Sequence, residues 1–284
     1  MSSAPQDGPV GAYGLRLDGI SEARSLLVPA DSNWPRFHIG RETGAPPWRE
    51  LDVVTDSDAQ LMLQTGGEIR IVREPGTVIF STEQGVSEEA LVHPYLAPVA
   101  AVVGYWFERE SFHAGAFVLD GNAWAVLGER ESGKSTLLAS LALRGIDILS
   151  DDMLILDGWR PFAGPRSLDL RATAAQELGV GQHLGVVGAR ERWRLQLGTT
   201  SGATSLRGWI FLGWGSRIET VRVEPHERIV RLGAQRGVRL PPKDPARLLD
   251  LAGLPAWELR RPHDWNALDA ATDALIELVR GHVP

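Results

Sequence analysis

Residues 122–136 read Asn122-Ala123-Trp124-Ala125-Val126-Leu127-Gly128-Glu129-Arg130-Glu131-Ser132-Gly133-Lys134-Ser135-Thr136, an apolar strand that runs into a glycine-bounded loop and then into a helix. From Gly128 to Ser135 the residues follow the G-x-x-x-x-G-K-[ST] phosphate-loop pattern. Gly128 and Gly133 stand where the backbone must bend in ways that a Cβ forbids, so that successive N–H groups turn inward around phosphate oxygens. Lys134 supplies a point charge for the outer phosphates and Ser135 a hydroxyl for a magnesium ion. The helix expected to begin there, with Leu137, Leu138, Leu141 and Ala142 on one face, directs its positive end at the bound anion. Gly128, Glu129, Arg130, Glu131, Ser132, Gly133, Lys134, Ser135 and Thr136 are therefore the expected nucleotide contacts, in an α/β phosphate-loop fold.

Downstream, Arg144-Gly145 closes the helix, and Ile146 to Leu149 reads as a short buried strand ending in Ser150-Asp151-Asp152. The two aspartates lie 17 and 18 positions beyond Lys134. A phosphate-loop kinase needs one carboxylate for magnesium and one near the attacking hydroxyl, and an acidic pair after an apolar strand supplies both. Adjacent residues of a strand point to opposite faces, so both can enter one site only where the strand ends. Met153 to Leu156 follows as another strand. Upstream, Phe112 to Leu119 reads as one strand and Asp120-Gly121-Asn122 as the turn into the strand that delivers the loop.

Farther along, Arg160, Arg166, Arg171, Arg190, Arg192 and Arg194 crowd an otherwise aperiodic stretch, and one or two of these guanidiniums are expected at the phosphates. Trp209 to Trp214, Thr220 to Val223 and Ala256 to Leu259 read as strands and Asp244 to Leu251 as a helix. Asp264 caps a final helix with Trp265, Leu268, Leu275, Ile276 and Val279 on its apolar side, read as scaffold.

The region 1–95 has a different texture. Tyr13 to Leu17, Trp34 to Ile39, Leu51 to Val54, Leu61 to Leu63, Glu68 to Arg73 and Val78 to Ser81 are short strand-like runs separated by Gly, Pro and Asp clusters. Gly66-Gly67 marks a hairpin and Glu74-Pro75-Gly76 a turn, giving a β-meander or small sandwich with Trp34, Phe37 and Trp48 in or over its core. Ser87-Glu88-Glu89-Ala90 opens a helical stretch running to about Phe107, with breaks at Pro94 and Pro98. The chain therefore divides into a β-rich region, 1–95, and a phosphate-loop domain, 96–284, with the first expected to position the acceptor.

Composition narrows the partners. The 284 residues carry 29 Lys+Arg against 36 Asp+Glu, a net charge of -7 that repels nucleic acid. No cysteine is present, which excludes disulfides and thiolate metal sites. The first residues lack the basic and apolar regions of a secretory signal. The most apolar run, Leu96 to Phe107, falls short of the ~20 residues of a membrane span. A cytoplasmic protein is expected, with neither membrane nor nucleic-acid partner; self-association is left open.

Taken together these motifs resemble the HPr kinase family. The resemblance rests on His113, fifteen residues ahead of Gly128, on the loop itself, on Arg144-Gly145 with Asp151-Asp152, and on Leu168-Asp169-Leu170-Arg171. It covers about 60 of 284 residues and weakens after Arg171. Departures are Glu131 at the family's third loop glycine, Thr136 at a glutamate, Asp169 at the signature glutamate, and Ala172-Thr173-Ala174 for Gly-Leu-Gly. The chain looks most like compact HPr-kinase-like proteins of peptide natural-product clusters, some of which phosphorylate a serine of a lasso-peptide precursor. The resemblance implies the phosphoenolpyruvate-carboxykinase-like variant of the fold.

The reading that follows is an ATP- and magnesium-dependent kinase transferring the γ-phosphoryl group to a serine hydroxyl of a peptide or small protein. Ser135 and Asp152, with Asp169 by resemblance, are expected to hold the metal. Asp151 is expected to take the hydroxyl proton, with His113 supporting it or the phosphates and Arg171 steadying the transferring group. The alternatives are an ATPase or a nucleotide-binding regulator without turnover. A transport ATPase would carry a Leu-Ser-Gly-Gly signature, which is absent.

Overall fold

A computed structural model describes residues 8–44, 52–63, 66–83, 85–203 and 205–282. Trp48 and Leu51 lie outside the described residues.

The first half builds one mixed sheet from β1 (Val10–Ala12), β2 (Leu15–Asp18), β3 (Val28–Pro29), β4 (Arg36–Thr43), β5 (Val53–Val54), β6 (Asp58–Met62), β7 (Glu68–Val72) and β8 (Thr77–Thr82). Their spatial order is β3-β1-β2-β4-β8-β7-β6-β5. A meander would pair every neighbour antiparallel; here β2 with β4 and β4 with β8 are parallel, so the expectation of a meander gives way to crossover connections. Phe37 is buried, and Trp34 packs edge-on against Phe162 with centroids 5.6 Å apart, which bears out their reading as core and cover.

Ser87 caps α1 (Glu88–Ala90), its hydroxyl accepting from the N–H of Ala90. The break falls at His93, extended at φ -149°, just before Pro94. Pro98 makes no break: it is the third residue of α2 (Leu96–Trp106), in a first turn that has no intrahelical N–H to lose. Val99, Val103 and Trp106 of α2 enter the same core as Leu15, Ile69 and Phe80 of the sheet.

The second half centres on a six-stranded sheet, ordered β12-β10-β11-β18-β20-β19. Its members are β10 (Gly115–Leu119), β11 (Asn122–Leu127), β12 (Asp147–Ser150), β18 (Leu206–Trp214), β19 (Glu219–Arg222) and β20 (Ala256–Arg261). β11, β18 and β20 run parallel, and both faces of β11 are covered: Ala123, Ala125 and Leu127 enter one core, Trp124 and Val126 the other. Two-sided burial explains why this strand reads as continuous apolar sequence. On one face lie α3 (Lys134–Leu143), α4 (Ala172–Leu178) and α7 (Leu268–Arg280); on the other lie α5 (Pro225–Ala234) and α6 (Pro245–Gly253). α3 is buried at Leu137, Leu138, Ala139, Ser140 and Leu141 alike, because α7 covers the side that an amphipathic reading leaves to solvent; Ser140 and Thr272 bridge the two helices with hydroxyls 3.0 Å apart.

Two small sheets complete the fold. β9 (Glu110–Phe112), β13 (Leu154–Asp157) and β14 (Arg160–Pro161) form one. β15 (Ser167–Leu170), β16 (Gln182–Val187) and β17 (Arg190–Gln196) form the other. The single strand expected over Phe112 to Leu119 is therefore two, β9 and β10, in different sheets, with His113 at the corner between them. β13 alternates between cores: Leu154 and Leu156 pack beneath the central sheet, while Ile155 joins the core of the first half.

Candidate active site

The loop 128–135 leaves β11 at its carboxyl end, where ligands bind in open parallel sheets. Gly133 is left-handed at φ 79° immediately before α3. Glu131 is left-handed too, at φ 68°, so an L-residue takes the conformation that glycine ordinarily supplies, at a cost of ~1 to 3 kcal/mol. Lys134 Nζ donates to the carbonyls of Gly128 at 2.7 Å and Glu129 at 3.3 Å, holding the ammonium across the loop.

A cavity of about 490 Å³ opens over this loop, within the range that holds a nucleotide-sized ligand. Its wall takes in Arg130, Glu131, Ser132, Gly133, Lys134, Ser135 and Thr136 of the loop and brings them together with His113, Asp151, Asp152, Asp169 and Arg171. Gly128 and Glu129 line a second, adjoining cavity of about 550 Å³.

The two aspartates sit differently. Asp151 is 4% exposed and accepts from Ser135 Oγ at 3.0 and 3.2 Å. Burial, reinforced by the neighbouring Asp152, pushes its carboxyl above the usual range. Asp152 follows in a left-handed turn at φ 68° with its side chain 38% exposed, and its carboxylate lies 3.5 Å from His113 Nδ1. The turn explains how consecutive residues reach one cavity, as the end of β12 suggested. It also reverses the expected pairing: the loop hydroxyl meets Asp151, not Asp152. Lys134 is held below its ordinary pKa by burial, against the opposing pull of Asp151, Asp152 and Glu129.

Asp169 lies in the wall but is already engaged. Its side chain is 1% exposed and accepts from Arg194 Nε at 2.8 Å, Arg194 Nη2 at 3.1 Å and Arg192 Nη1 at 3.4 Å, with His93 Nε2 at 3.7 Å. Burial alone would push this carboxyl up, but His93, Arg194 and Arg192 hold it below the usual range. A carboxylate offers about four lone-pair directions, and these partners use them. The expected metal role is therefore not what the geometry favours: a cation would have to displace two guanidiniums. Ser135 and Asp151 bring together hard oxygens of the kind that magnesium takes. Among the described residues no group of three or more His, Cys, Asp or Glu side chains forms a metal cluster.

Of the six arginines of the 160–200 stretch, Arg171, Arg190 and Arg192 line the cavity. Arg171 pairs with Glu131 at 2.8 Å, both more than half exposed, a contact of little energetic weight. Arg166 and Arg194 are buried and hold backbone carbonyls, Arg166 those of Ile148 and Gly198, Arg194 those of Glu89 and His93. Arg160 lies over Phe162 on the small sheet.

Several wall residues carried no signal in the sequence. His93, at the kink before α2, arrives from the first half. Trp214, Arg261, His263 and Trp265 arrive from the ends of β18 and β20 and the entry to α7. The entry to the last helix is thus part of the cavity rather than scaffold, and Trp265 is 38% exposed instead of packing on the apolar face. The second cavity shares His113, Arg130, Arg190 and Arg192 with the first and adds Met62, Leu63, Tyr95, Arg236 and Arg239.

No protein-family model matches the chain and no curated protein matches it. Among solved structures it is similar to the Hpr(Ser) kinase/phosphatase from Coxiella burnetii, with 13% identity over 61% of this chain and 99% of that one, at a TM-score of 0.31. No helix of the described residues is long and apolar enough to cross a membrane.

Proposed function

We propose that this chain is an ATP- and magnesium-dependent kinase that transfers the γ-phosphoryl group to a serine hydroxyl of a peptide or small protein. The observation that carries the reading is the arrangement of four side chains at the carboxyl end of the sheet. Ser135 and Asp151 touch beneath the loop, and Asp152 and His113 face each other beside it.

ATP supplies the phosphoryl group, and magnesium offsets the charge of its oxygens. Lys134 and the loop N–H groups would hold the phosphates, while Ser135 and buried Asp151 would hold the metal. Asp152, half-exposed in the first cavity, accepts the proton of the acceptor hydroxyl; His113, which lines both cavities, orients it from 3.5 Å. Arg171, Arg190 and Arg192 steady the group in transit. The roles of the two aspartates are thus exchanged relative to the reading from sequence, because burial and the Ser135 contact suit Asp151 to a metal and exposure suits Asp152 to a substrate. The second cavity takes the acceptor, and Met62 and Leu63 give the β-rich region 1–95 its part in positioning it.

The test is transfer from labelled ATP with magnesium to pools of serine-containing peptides, read by mass spectrometry and by label on the peptide. Phosphopeptide formed by the wild type and lost in Lys134→Ala supports the kinase. Hydrolysis that no added hydroxyl diverts supports the ATPase, and tight binding without turnover supports the regulator.

A further inference from the structure

The carboxyl ends of β18 and β20 are neighbours: Trp214 and Arg261 are direct partners in the parallel register. They lie next to the end of β11 that delivers the phosphate loop. Arg261 is 3% exposed and donates through Nη2 to the carbonyl of Ser132 at 2.6 Å, while its Nη1 is buried with no acceptor among the described residues. Its guanidinium carbon lies 4.5 Å from the centroid of the Trp214 ring. The same ring meets His263 with centroids 4.5 Å apart. It also passes within 3.4 Å of where a Cβ on Gly133 would stand.

This places a large aromatic surface in the same cavity as the charged residues of the loop and the acidic turn. Trp214 is 44% exposed and Trp265 38% exposed, and both open into this cavity, whereas Trp124 and Trp209 are fully buried. Aromatic rings left open beside charged groups, and braced from behind, mark a site for a flat apolar ligand. Arg261 is the brace. It holds the loop backbone with one nitrogen and stacks on the indole, so ring and phosphate loop keep a fixed relation. None of Trp214, Arg261, His263 and Trp265 lines the second cavity, whose shared wall is His113, Arg130, Arg190 and Arg192.

We propose that Trp214, His263 and Trp265 form a nucleobase subsite of the phosphate-loop cavity, braced by Arg261. The proposal rests on reading the loop as a nucleotide site. Every base has a π-face, so a subsite built on stacking accepts purine nucleotides broadly and rejects a bare phosphate chain. The phosphate chain then points away from the indoles, toward the wall shared with the second cavity.

The experiment is calorimetric titration of the full chain, with magnesium, by ATP, GTP and inorganic tripolyphosphate. Wild type should bind ATP and GTP within a few-fold of each other and tripolyphosphate about tenfold or more weaker, in keeping with the stacking energy of one base. Trp214→Ala should lower ATP affinity to within a few-fold of that for tripolyphosphate and leave tripolyphosphate binding unchanged, which also reports that the loop is intact. Trp214→Phe should keep most of the ATP affinity. Tripolyphosphate binding as tight as ATP in the wild type, or an unchanged ratio between the two in Trp214→Ala, overturns the subsite. A wild type that binds none of the three overturns the nucleotide reading itself, and the subsite with it.

Discussion

The phenolic hydroxyl of Tyr13 donates to the backbone carbonyl of Asp151 at 3.2 Å, tying the first hairpin of the chain to the acidic turn of the site. Tyr13 is fully buried and left-handed at φ 58°, and Gly164 leaves the room its ring occupies, since a Cβ there would come within 2.9 Å of it. The same carbonyl accepts from the N–H of Met153 at 2.8 Å, so the turn has one support from within itself and one from the first half.

Tyr13→Phe removes only the second support. It should cost ~1 kcal/mol of stability, the net worth of one neutral hydrogen bond. Turnover should fall several-fold, with ATP affinity less affected. Denaturant melts and steady-state rates on the same preparation check both; an unchanged rate would mean that the Met153 contact alone fixes the turn.

The two aspartates should separate in a pair of variants. Asp151→Asn should weaken magnesium-dependent ATP binding by about one to two orders of magnitude, as loss of a charged partner does. Asp152→Asn should leave that affinity nearly intact and lower transfer ~10² to 10⁴-fold, the contribution of a positioned base. Binding titrations against rates of phosphopeptide formation distinguish this from the opposite assignment.

Asp169→Ala should unfold the chain rather than starve it of metal. It takes from buried Arg194 its close carboxylate partner and leaves only Glu89 at 3.8 Å, a loss of ~3 to 5 kcal/mol. The magnesium concentration for half-maximal ATP binding in the folded fraction of Asp169→Asn should stay within a few-fold of wild type. A large shift there would return Asp169 to the metal.

Glu88 supplies a pH dependence away from the site. Burial pushes its carboxyl up, but the N–H groups of Ala23, Ser21 and Glu22, with Arg41, more than offset this and hold it below its ordinary value. A depressed carboxyl stabilises the fold above its unfolded pKa of about 4.3 and loses that stabilisation as pH falls through the lower folded value. Glu88→Gln should therefore lower the melting temperature at pH 7, by ~1 to 3 kcal/mol in stability. The difference from wild type should shrink as the pH is taken below about 4.

The loop, its strand and helix, the acidic pair and most strands of the first half could be read from the sequence because each is a local pattern: glycine spacing, apolar alternation, a turn dipeptide. What escaped depends on contacts between distant residues. Nothing local distinguishes Asp151 from Asp152; burial beneath Ser135 does. Asp169 matched a metal-ligand position by pattern, yet its partners are Arg194 on a neighbouring strand and His93, far away in the chain. β16 and β17 pair around a register shift between His183 and Gly185, which disturbs the alternation that would have revealed them. Trp265 fits an apolar helical face by spacing, but it falls in the short 3-10 turn before α7, where that spacing does not apply.

β13 places Ile155 in one core and its neighbours Leu154 and Leu156 in another, and this joins the fates of the two halves in heat. Neither core can loosen without dragging on the strand they share. Calorimetric unfolding of the whole chain should therefore give a single endotherm in which both halves melt together; two separate endotherms would mean that the cores are independent. Exchanging the first half for a foreign one has to carry with it a surface that still fits Ile155.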